Sequence, residues 1–245
     1  MHPLLRHTAH RTAPMPRSPW IMVQHWHDLV FAHWNLPPEQ IRPLVPGELT
    51  LDLYDGHAYV GVAPFWMSGV RFRGTPAIPH FSRFPELNVR TYVRYDNVPG
   101  VYFFSLDAGS RPAVTGARWG YHLPYFLAEM SIKNVGPKLI YSSHRMENPL
   151  PAEFQGRYWP VSASRRRDKS GLEHFLTERY CLYTVNAGKV YRAYIHHLPW
   201  TLQDAEAEIE VNTMAQAAGI ALPNQKPLLH FAKTLEVLIW WPQLA

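Results

Sequence analysis

The chain has 245 residues, of which 47% are hydrophobic, and a formal net charge of +5. This composition excludes a mostly disordered chain, and the length suits a single large β-barrel or sandwich. No apolar run reaches the roughly 18 residues of a membrane-spanning helix, so no membrane partner is expected.

The first residues and the cysteine content both favour a cytoplasmic protein. Residues 1–18 are rich in Arg, His and Pro and lack the apolar segment of a secretory signal. They are expected to form a flexible basic arm ahead of one domain, residues 19–245. Cys181 is the only cysteine, which excludes an internal disulfide and fits a reducing compartment.

Short strands and tight turns dominate the first part of the chain. Weak alternation over residues 26–34 predicts a strand, and a short helical turn follows through Ile41. Residues 49–53 alternate as well, and the Asp55-Gly56 turn leads into residues 57–67, which are apolar on both faces. We therefore predict a hairpin whose second strand is buried on both sides.

The segment ELNVRTYVRY, residues 86–95, is the most informative. Its even-numbered side chains are polar or aromatic: Glu86, Asn88, Arg90, Tyr92 and Arg94. A row that faces solvent is one interpretation of this pattern. The following strand VYFFSL, residues 101–106, is apolar on both faces, which favours a polar row that faces an enclosed pocket. Because charges in such a pocket need partners, this row is a candidate binding site.

Further elements are predicted towards the C-terminus. Pro124 is expected to open a helix with the apolar stripe of Leu123, Phe126, Leu127 and Met130, and Tyr125 would lie in its first turn, where anions are favoured. The Ala- and Glu-rich residues 202–218 also predict a helix. Strands are expected at residues 139–145, 158–164, 180–185, 190–196 and 235–241, with a helical turn at 172–178.

Several motifs taken together carry a family resemblance. FPELNVRTYV, GVYFFSLDA, ARWGYHLPY, FLTERYCLY and HHLPW resemble segments of a bacterial family without an assigned function, the YqjF-like proteins, from about Trp26 onwards. The resemblance implies the acetoacetate decarboxylase-like fold. That fold is mainly β (α+β), an antiparallel β-barrel or cone with a few packed helices and an internal cavity.

The same resemblance argues against one reaction. Decarboxylases of the wider superfamily carry an Arg, a Pro six residues later and then two lysines, the first of which forms a Schiff base. Here Arg118 and Pro124 match, but the next residues are Tyr125 and Phe126. Imine-based decarboxylation is therefore not expected, and Lys133 lies too far along the chain to replace the missing lysine. Glu86 matches a glutamate of the family.

Seven residues are expected to form one pocket for a small anionic molecule. The candidate catalytic residues are Glu86, Tyr125 and Arg118, and the candidate substrate-binding residues are Asn88, Arg90, Tyr92 and His122. The arginines would hold a carboxylate, Glu86 would move a proton and Tyr125 would polarise a carbonyl group. Lysine-independent, lyase-like chemistry on an oxo- or hydroxy-acid is one hypothesis, and a non-catalytic binding or sensing protein is the other.

Other functions find little support in the sequence. His25 and His27, or His196 and His197, lack a third ligand at a recognisable spacing, so no metal site and no cofactor are predicted. The basic run at residues 165–169 is interpreted as a solvated loop, since no nucleic-acid-binding motif accompanies it. The aromatic C-terminal strand and the basic arm are compatible with a homodimer.

Overall fold

The structure, a computed structural model, describes residues 2–78, 82–147, 152–166 and 170–245. These residues form a mainly β fold with few helices, in agreement with the predicted fold class. None of the helices in these ranges is long and apolar enough to cross a lipid bilayer. The basic run is described only at Arg165 and Arg166, which form a short exposed strand, and residues 167–169 lie outside the described ranges.

Fourteen strands and three α-helices make up the described part of the chain. The strands are β1 Met22–Leu36, β2 Thr50–Leu51, β3 Ala58–Phe72, β4 Phe84–Tyr95, β5 Val98–Ala108, β6 Tyr125–Val135, β7 Lys138–Arg145, β8 Glu153–Pro160, β9 Arg165–Arg166, β10 Cys181–Asn186, β11 Lys189–His196, β12 Thr201–Asn212, β13 Leu228–Ile239 and β14 Gln243–Leu244. The α-helices are α1 Pro38–Ile41, α2 Arg111–Tyr121 and α3 Leu172–Thr177.

The strands close into rings, which removes exposed edges from most of the sheet. One ring runs β5-β6-β7-β8-β12-β13-β1-β3-β4 and returns to β5. A second ring shares β13, β1, β3, β4 and β5 and closes through β10 and β11, because β11 also pairs with β13. Strand β5 is parallel to both β6 and β10. The shared strands therefore form a wall with protein on both sides.

Strand β4 explains why one face of this wall is apolar and the other carries charge. Leu87 and Val89 are fully buried and belong to a core cluster with Tyr141 and Phe154. The alternate side chains point to the opposite face, where Phe65 and Phe103 belong to a second apolar cluster. The polar row of β4 thus lies inside the protein, between two cores.

Two predicted helices are wrong, because sheet pairing decides both segments. Residues 125–135 form β6, whose Tyr125 pairs with Leu106 of β5, so Tyr125 is not in the first turn of a helix. Residues 201–212 form β12, which pairs with β8. In β12 the small and apolar side chains Ala205, Ala207 and Ile209 pack against the core and alternate with acidic ones, a period of two that composition alone conceals.

The N-terminal segment, predicted to form a flexible basic arm, lies against the barrel. Pro3–Arg6 form a 3₁₀ turn in which Leu4 is buried. Arg11 donates hydrogen bonds to the backbone oxygen of Ile195 at 2.7 Å and of Ala13 at 3.1 Å. His10 Nε2 donates to the backbone oxygen of His197 at 2.8 Å. This segment therefore covers the strand end that leads into the HHLPW motif.

Candidate functional site

A cavity of about 490 Å³ opens inside the second ring. Its walls come from β1, β3, β4, β5, β10 and β11, and helix α2 lies across one side. The polar side chains that line it include Glu86, Asn88, Arg90, Tyr125, Arg179 and His197. The volume falls in the range of about 300–1,000 Å³ that is common for small-molecule sites, and most of the lining is apolar.

Glu86 and Tyr125 form a hydrogen-bonded pair in the cavity wall. The Tyr125 hydroxyl donates to Oε2 of Glu86 at 2.8 Å. Strand β5 lies between the two residues, since Glu86 pairs with Ala108 and Tyr125 with Leu106. Only 3% of Glu86 is exposed, so water does not solvate its carboxyl group.

Burial sets the protonation state of this pair. Burial raises the pKa of Glu86 to about 8, the Tyr125 hydrogen bond opposes the shift, and the negative charge of Asp107 adds to it. The pKa of Tyr125 lies well above its ordinary value, because burial and the neighbouring Glu86 both disfavour a phenolate. At neutral pH most Glu86 carboxyl groups therefore carry a proton, and a small change in pH or environment can release it.

Fixed groups hold Glu86 from the side away from the cavity. The Tyr141 hydroxyl donates to the backbone oxygen of Glu86 at 2.7 Å. Nearby, Asp107 and Arg145 form a buried bidentate ion pair, with Nε–Oδ1 and Nη2–Oδ2 distances of 2.6 and 2.7 Å. The Tyr141 hydrogen bond fixes the backbone of β4 at Glu86. The Asp107–Arg145 ion pair near Glu86 is likewise fixed by the fold.

Two arginines carry positive charge at the inner end of the cavity. Arg90 has no carboxylate partner among the described residues, and its Nη2 reaches only the Leu176 backbone oxygen at 3.4 Å. Arg179 is buried and pairs with Asp52 through Nη1 at 2.5 Å. Beside them, Oδ1 of Asn88 and Nε of Arg90 are buried without a hydrogen-bond partner in the described part of the chain. Such groups are suited to contact a polar ligand.

Arg179, His197 and Trp200 are cavity residues that the sequence analysis missed. They belong to the segments FLTERYCLY and HHLPW, which the sequence analysis used only for the family resemblance. Burial lowers the pKa of His197 to about 3, and its Nδ1 donates to the Leu198 backbone oxygen at 2.8 Å, so the ring is neutral. The available signal was the adjacent charged pair Glu178-Arg179, which directly precedes the apolar and aromatic residues 180–183.

Three predicted site residues, Arg118, His122 and Tyr92, do not line the cavity. Arg118 is on the outer side of α2, where it pairs with Glu147 and donates to the Tyr125 backbone oxygen at 2.6 Å. His122 is exposed and ends α2 with a left-handed φ of 53°. Arg118 does not line the cavity, because its guanidinium group is held by Glu147 and by the Tyr125 backbone oxygen.

Tyr92 lies behind the cavity wall and supports it. Its hydroxyl donates to the Leu176 backbone oxygen at 2.7 Å and lies 2.7 Å from Nε2 of His33. The centroid of its ring lies 5.0 Å from the guanidinium carbon of Arg179 and 5.8 Å from that of Arg90. Tyr92 therefore fixes both arginines without lining the cavity itself.

The described residues contain no group of three or more His, Cys, Asp or Glu side chains arranged to hold a metal ion. His25 lies beside Glu236 at 3.5 Å, and His27 stacks on Trp66. No lysine is among the described residues that line the cavity. The ionisable groups of the described lining residues are carboxyl, phenol, imidazole and guanidinium groups.

Comparisons with known proteins show which family the chain belongs to. The DUF2071 family, described as an uncharacterized conserved protein, matches residues 23–236. The uncharacterized protein YqjF of Bacillus subtilis is 50% identical over 226 residues, which cover 92% of this chain and 93% of YqjF.

Solved structures show the same fold at low sequence identity. Acetoacetate decarboxylase from Legionella pneumophila superposes with a TM-score of 0.63 at 14% identity, covering 95% of this chain and 92% of that one. The enduracididine biosynthesis enzyme MppR, complexed with pyruvate, gives 0.61 at 10% identity, with 93% and 91% covered. The chain therefore belongs to the DUF2071 family and has an acetoacetate decarboxylase-like fold.

Proposed function

We propose that the cavity binds a small oxo- or hydroxy-acid and that Glu86 and Tyr125 carry out lysine-independent, lyase-like proton transfer on it. The observation that carries this proposal is the buried Tyr125–Glu86 hydrogen bond, 2.8 Å long, in a cavity that also contains arginine side chains. MppR, a protein of the same fold, is complexed with pyruvate, which supports an oxo-acid as the ligand class.

The arginines would hold the acid. Arg90 has no described carboxylate partner, so it can bind a ligand carboxylate without first breaking an ion pair. Arg179 would contribute positive charge while it remains paired with Asp52. Asn88 would accept a hydrogen bond from a ligand hydroxyl group through the buried Oδ1.

Proton transfer would then take place at Glu86. In its carboxylate form Glu86 takes a proton from the carbon next to the ligand carbonyl, and the bonding electrons move to the carbonyl oxygen to form an enolate. Once Glu86 carries the proton, it no longer needs the Tyr125 hydroxyl as a donor, and that hydroxyl can donate to the enolate oxygen. In D₂O, Glu86 then exchanges this proton for a deuteron from solvent and delivers the deuteron to the enolate carbon, which regenerates the carbonyl group and the Glu86 carboxylate.

Exchange of the pyruvate methyl protons in D₂O, followed by NMR, tests the catalytic proposal. We expect exchange with the wild-type protein, with a rate that rises with pH up to about 8, because the base form of Glu86 accumulates over that range. Glu86→Gln should slow exchange at least about a hundredfold. Glu129→Gln, on the exposed face of β6, is the matched control.

A non-catalytic binder is the second candidate function. It is favoured by the commitment of Arg179 to Asp52 and of the Tyr125 hydroxyl to Glu86, which leaves few free groups for chemistry. Pyruvate binding that Arg90→Gln weakens, without proton exchange, would establish this alternative. If no oxo-acid binds and none exchanges its protons, both candidates are wrong.

A further inference from the structure

The cavity is polar at one end and apolar at the other, and β4 defines its axis. Phe84, Glu86, Asn88 and Arg90 all line it, and alternate residues on one strand face are about 7 Å apart. The α-carbon of Arg90 is therefore about 13 Å from that of Glu86 along the strand and about 20 Å from that of Phe84, before the lengths of the side chains are taken into account. At the Arg90 end of the cavity, the buried residues Phe31 and Arg179 lie close to the Arg90 side chain.

At the Phe84 end the cavity reaches solvent through an apolar rim, which consists of Phe72, Ile78, Trp119 and Trp241. Their exposed fractions are 54%, 60%, 82% and 50%, respectively. Within the described ranges, every exposed Phe and Trp side chain belongs to this rim. Exposed apolar groups that converge on one opening indicate a binding surface, whereas scattered ones need no explanation.

Parts of the rim are held in place. Trp241 packs on the end of α2, because its ring lies 5.6 Å from that of Tyr121 and a β-carbon at Gly120 would approach it to 3.2 Å. Between the rim and Glu86 the walls include the apolar side chains of Met67 and Phe84, which pair across β3 and β4 and are both buried. A ligand that filled only the charged end would leave this apolar passage without a complementary partner.

We propose that the ligand is an amphipathic carboxylic acid, with its carboxylate at Arg90 and Arg179, its reactive carbons beside Glu86, and an apolar tail that runs to the rim. This inference rests on the proposed function and adds the substrate class and the direction of binding. The continuity between the rim and the cavity supports a ligand tail, in preference to a separate protein, as the occupant of the rim.

The opposite direction of binding is the main competitor. Arg71 lines the cavity near the rim, and its Nη1 donates only to the Gly69 backbone oxygen, at 3.1 Å. A carboxylate at Arg71 would place the tail inside and the head at the opening. Both side chains are partly exposed, but Nε of Arg90 is buried without a hydrogen-bond partner among the described residues, and its guanidinium carbon lies 5.0 Å from the ring of the buried Phe31. We therefore place the head at Arg90.

Saturated acids test the inference, because they bind without reacting. Calorimetry with acetate, butyrate, hexanoate, octanoate and decanoate should give affinities that increase about fourfold for each added methylene group until the tail reaches the rim. Trp119→Ser should weaken the long acids about tenfold and leave acetate unchanged. Arg90→Gln should weaken all the acids by a similar factor, and Val135→Ser, an exposed apolar position outside the cavity, is the control.

Four results would overturn this inference in different ways. Affinity that is independent of chain length, but still lost in Arg90→Gln, would leave the proposed function standing and remove the tail. A larger loss in Arg71→Gln than in Arg90→Gln would reverse the direction of binding. If Trp119→Ser leaves the chain-length series intact but dissociates an oligomer in sedimentation, the rim is a subunit interface. Absence of carboxylate binding would defeat the proposed function as well.

Discussion

The hydroxyl group of Tyr125 donates a hydrogen bond to Oε2 of Glu86 across 2.8 Å, although the two residues are on strands separated by β5. The Glu86 carboxyl group is buried and has no cation within salt-bridge distance in the described part of the chain. A neutral carboxyl group satisfies this environment better than a carboxylate does. The relationship has measurable consequences for stability as well as for chemistry.

The first prediction concerns the pH dependence of stability. Folded Glu86 keeps its proton up to a pH of about 8, whereas the unfolded chain loses it near 4.5. Between these values unfolding releases a proton, so Glu86 lowers the free energy of unfolding by about 1.4 kcal/mol per pH unit as the pH rises. Glu86→Gln removes this slope. Urea unfolding should show the variant equal to wild type near pH 4.5 and more stable by roughly 2 kcal/mol or more at pH 8.

Glu129→Gln controls for the loss of one carboxyl group, because Glu129 is exposed on the same strand as Tyr125. Its stability should follow the wild-type pH dependence. Parallel curves for wild type and Glu86→Gln between pH 4.5 and 8 would show that Glu86 ionises normally in the folded protein. The assignment of a neutral carboxyl group to Glu86 in the folded protein would then be wrong.

The second prediction concerns the donor. The Tyr125 hydrogen bond stabilises the carboxylate form of Glu86, so Tyr125→Phe should raise the pKa of Glu86 above its value of about 8. The pH dependence of the stability difference between Tyr125→Phe and the double variant Tyr125→Phe/Glu86→Gln measures that pKa. Tyr191→Phe, a partly buried tyrosine that does not line the cavity, should leave it unchanged. A lower pKa in Tyr125→Phe would contradict the assigned direction of the hydrogen bond.

The central part of the fold could be predicted because its pattern is local. Strict alternation in β4 placed Leu87 and Glu86 on opposite faces, and the doubly apolar β5 indicated that both faces were covered. The Asp55-Gly56 turn has the positive φ angles that these residues tolerate, but the predicted hairpin is reduced to the Tyr54–His57 bridge, because β2 pairs with β4. Such features depend on neighbours in sequence, which a single chain displays directly.

The errors arose where distant pairing overrides local preference. Leu123, Phe126 and Leu127 have helical spacing, yet β5 and β7 supply hydrogen-bonding edges on both sides of that segment. Once residues 125–135 form a strand, Arg118 lies on the outer side of α2 and pairs with Glu147. Arg179 could not be predicted as the cavity arginine instead of Arg118, because only the pairing of distant strands brings Arg179 to the cavity.

The third prediction tests the buried ion pair that adjoins the site. Asp107 and Arg145 are both almost inaccessible to solvent, with 0% and 5% exposed. Removing one partner leaves an uncompensated buried charge, so Arg145→Met should lower the free energy of unfolding by about 3–5 kcal/mol. Arg157→Met, which removes an exposed pair with Glu208, should cost far less, since water screens that pair. Similar losses for the two variants in urea unfolding would show that the Asp107–Arg145 pair is hydrated.

The fourth prediction concerns the close approach of β5 and β10, which joins the wall carrying Glu86 to the strands beyond Arg179. A β-carbon at Gly100 would lie 2.6 Å from Cε2 of Tyr183 and 2.8 Å from the Cys181 backbone oxygen. Because the second atom belongs to the backbone of a paired strand, the clash cannot be relieved by a rotamer change. Gly100→Ala should lower the free energy of unfolding by about 1–3 kcal/mol.

The same substitution at Gly116 should have the opposite sign. This glycine lies inside α2, and a β-carbon there would meet nothing within 4 Å. Alanine in a helix interior is favoured over glycine by about 0.5–1 kcal/mol, so Gly116→Ala should stabilise the protein. Because the two variants differ only in position, their thermal unfolding separates crowding from helix propensity. If both substitutions shift the melting temperature in the same direction, the close contact between β5 and β10 is not what makes glycine necessary at position 100.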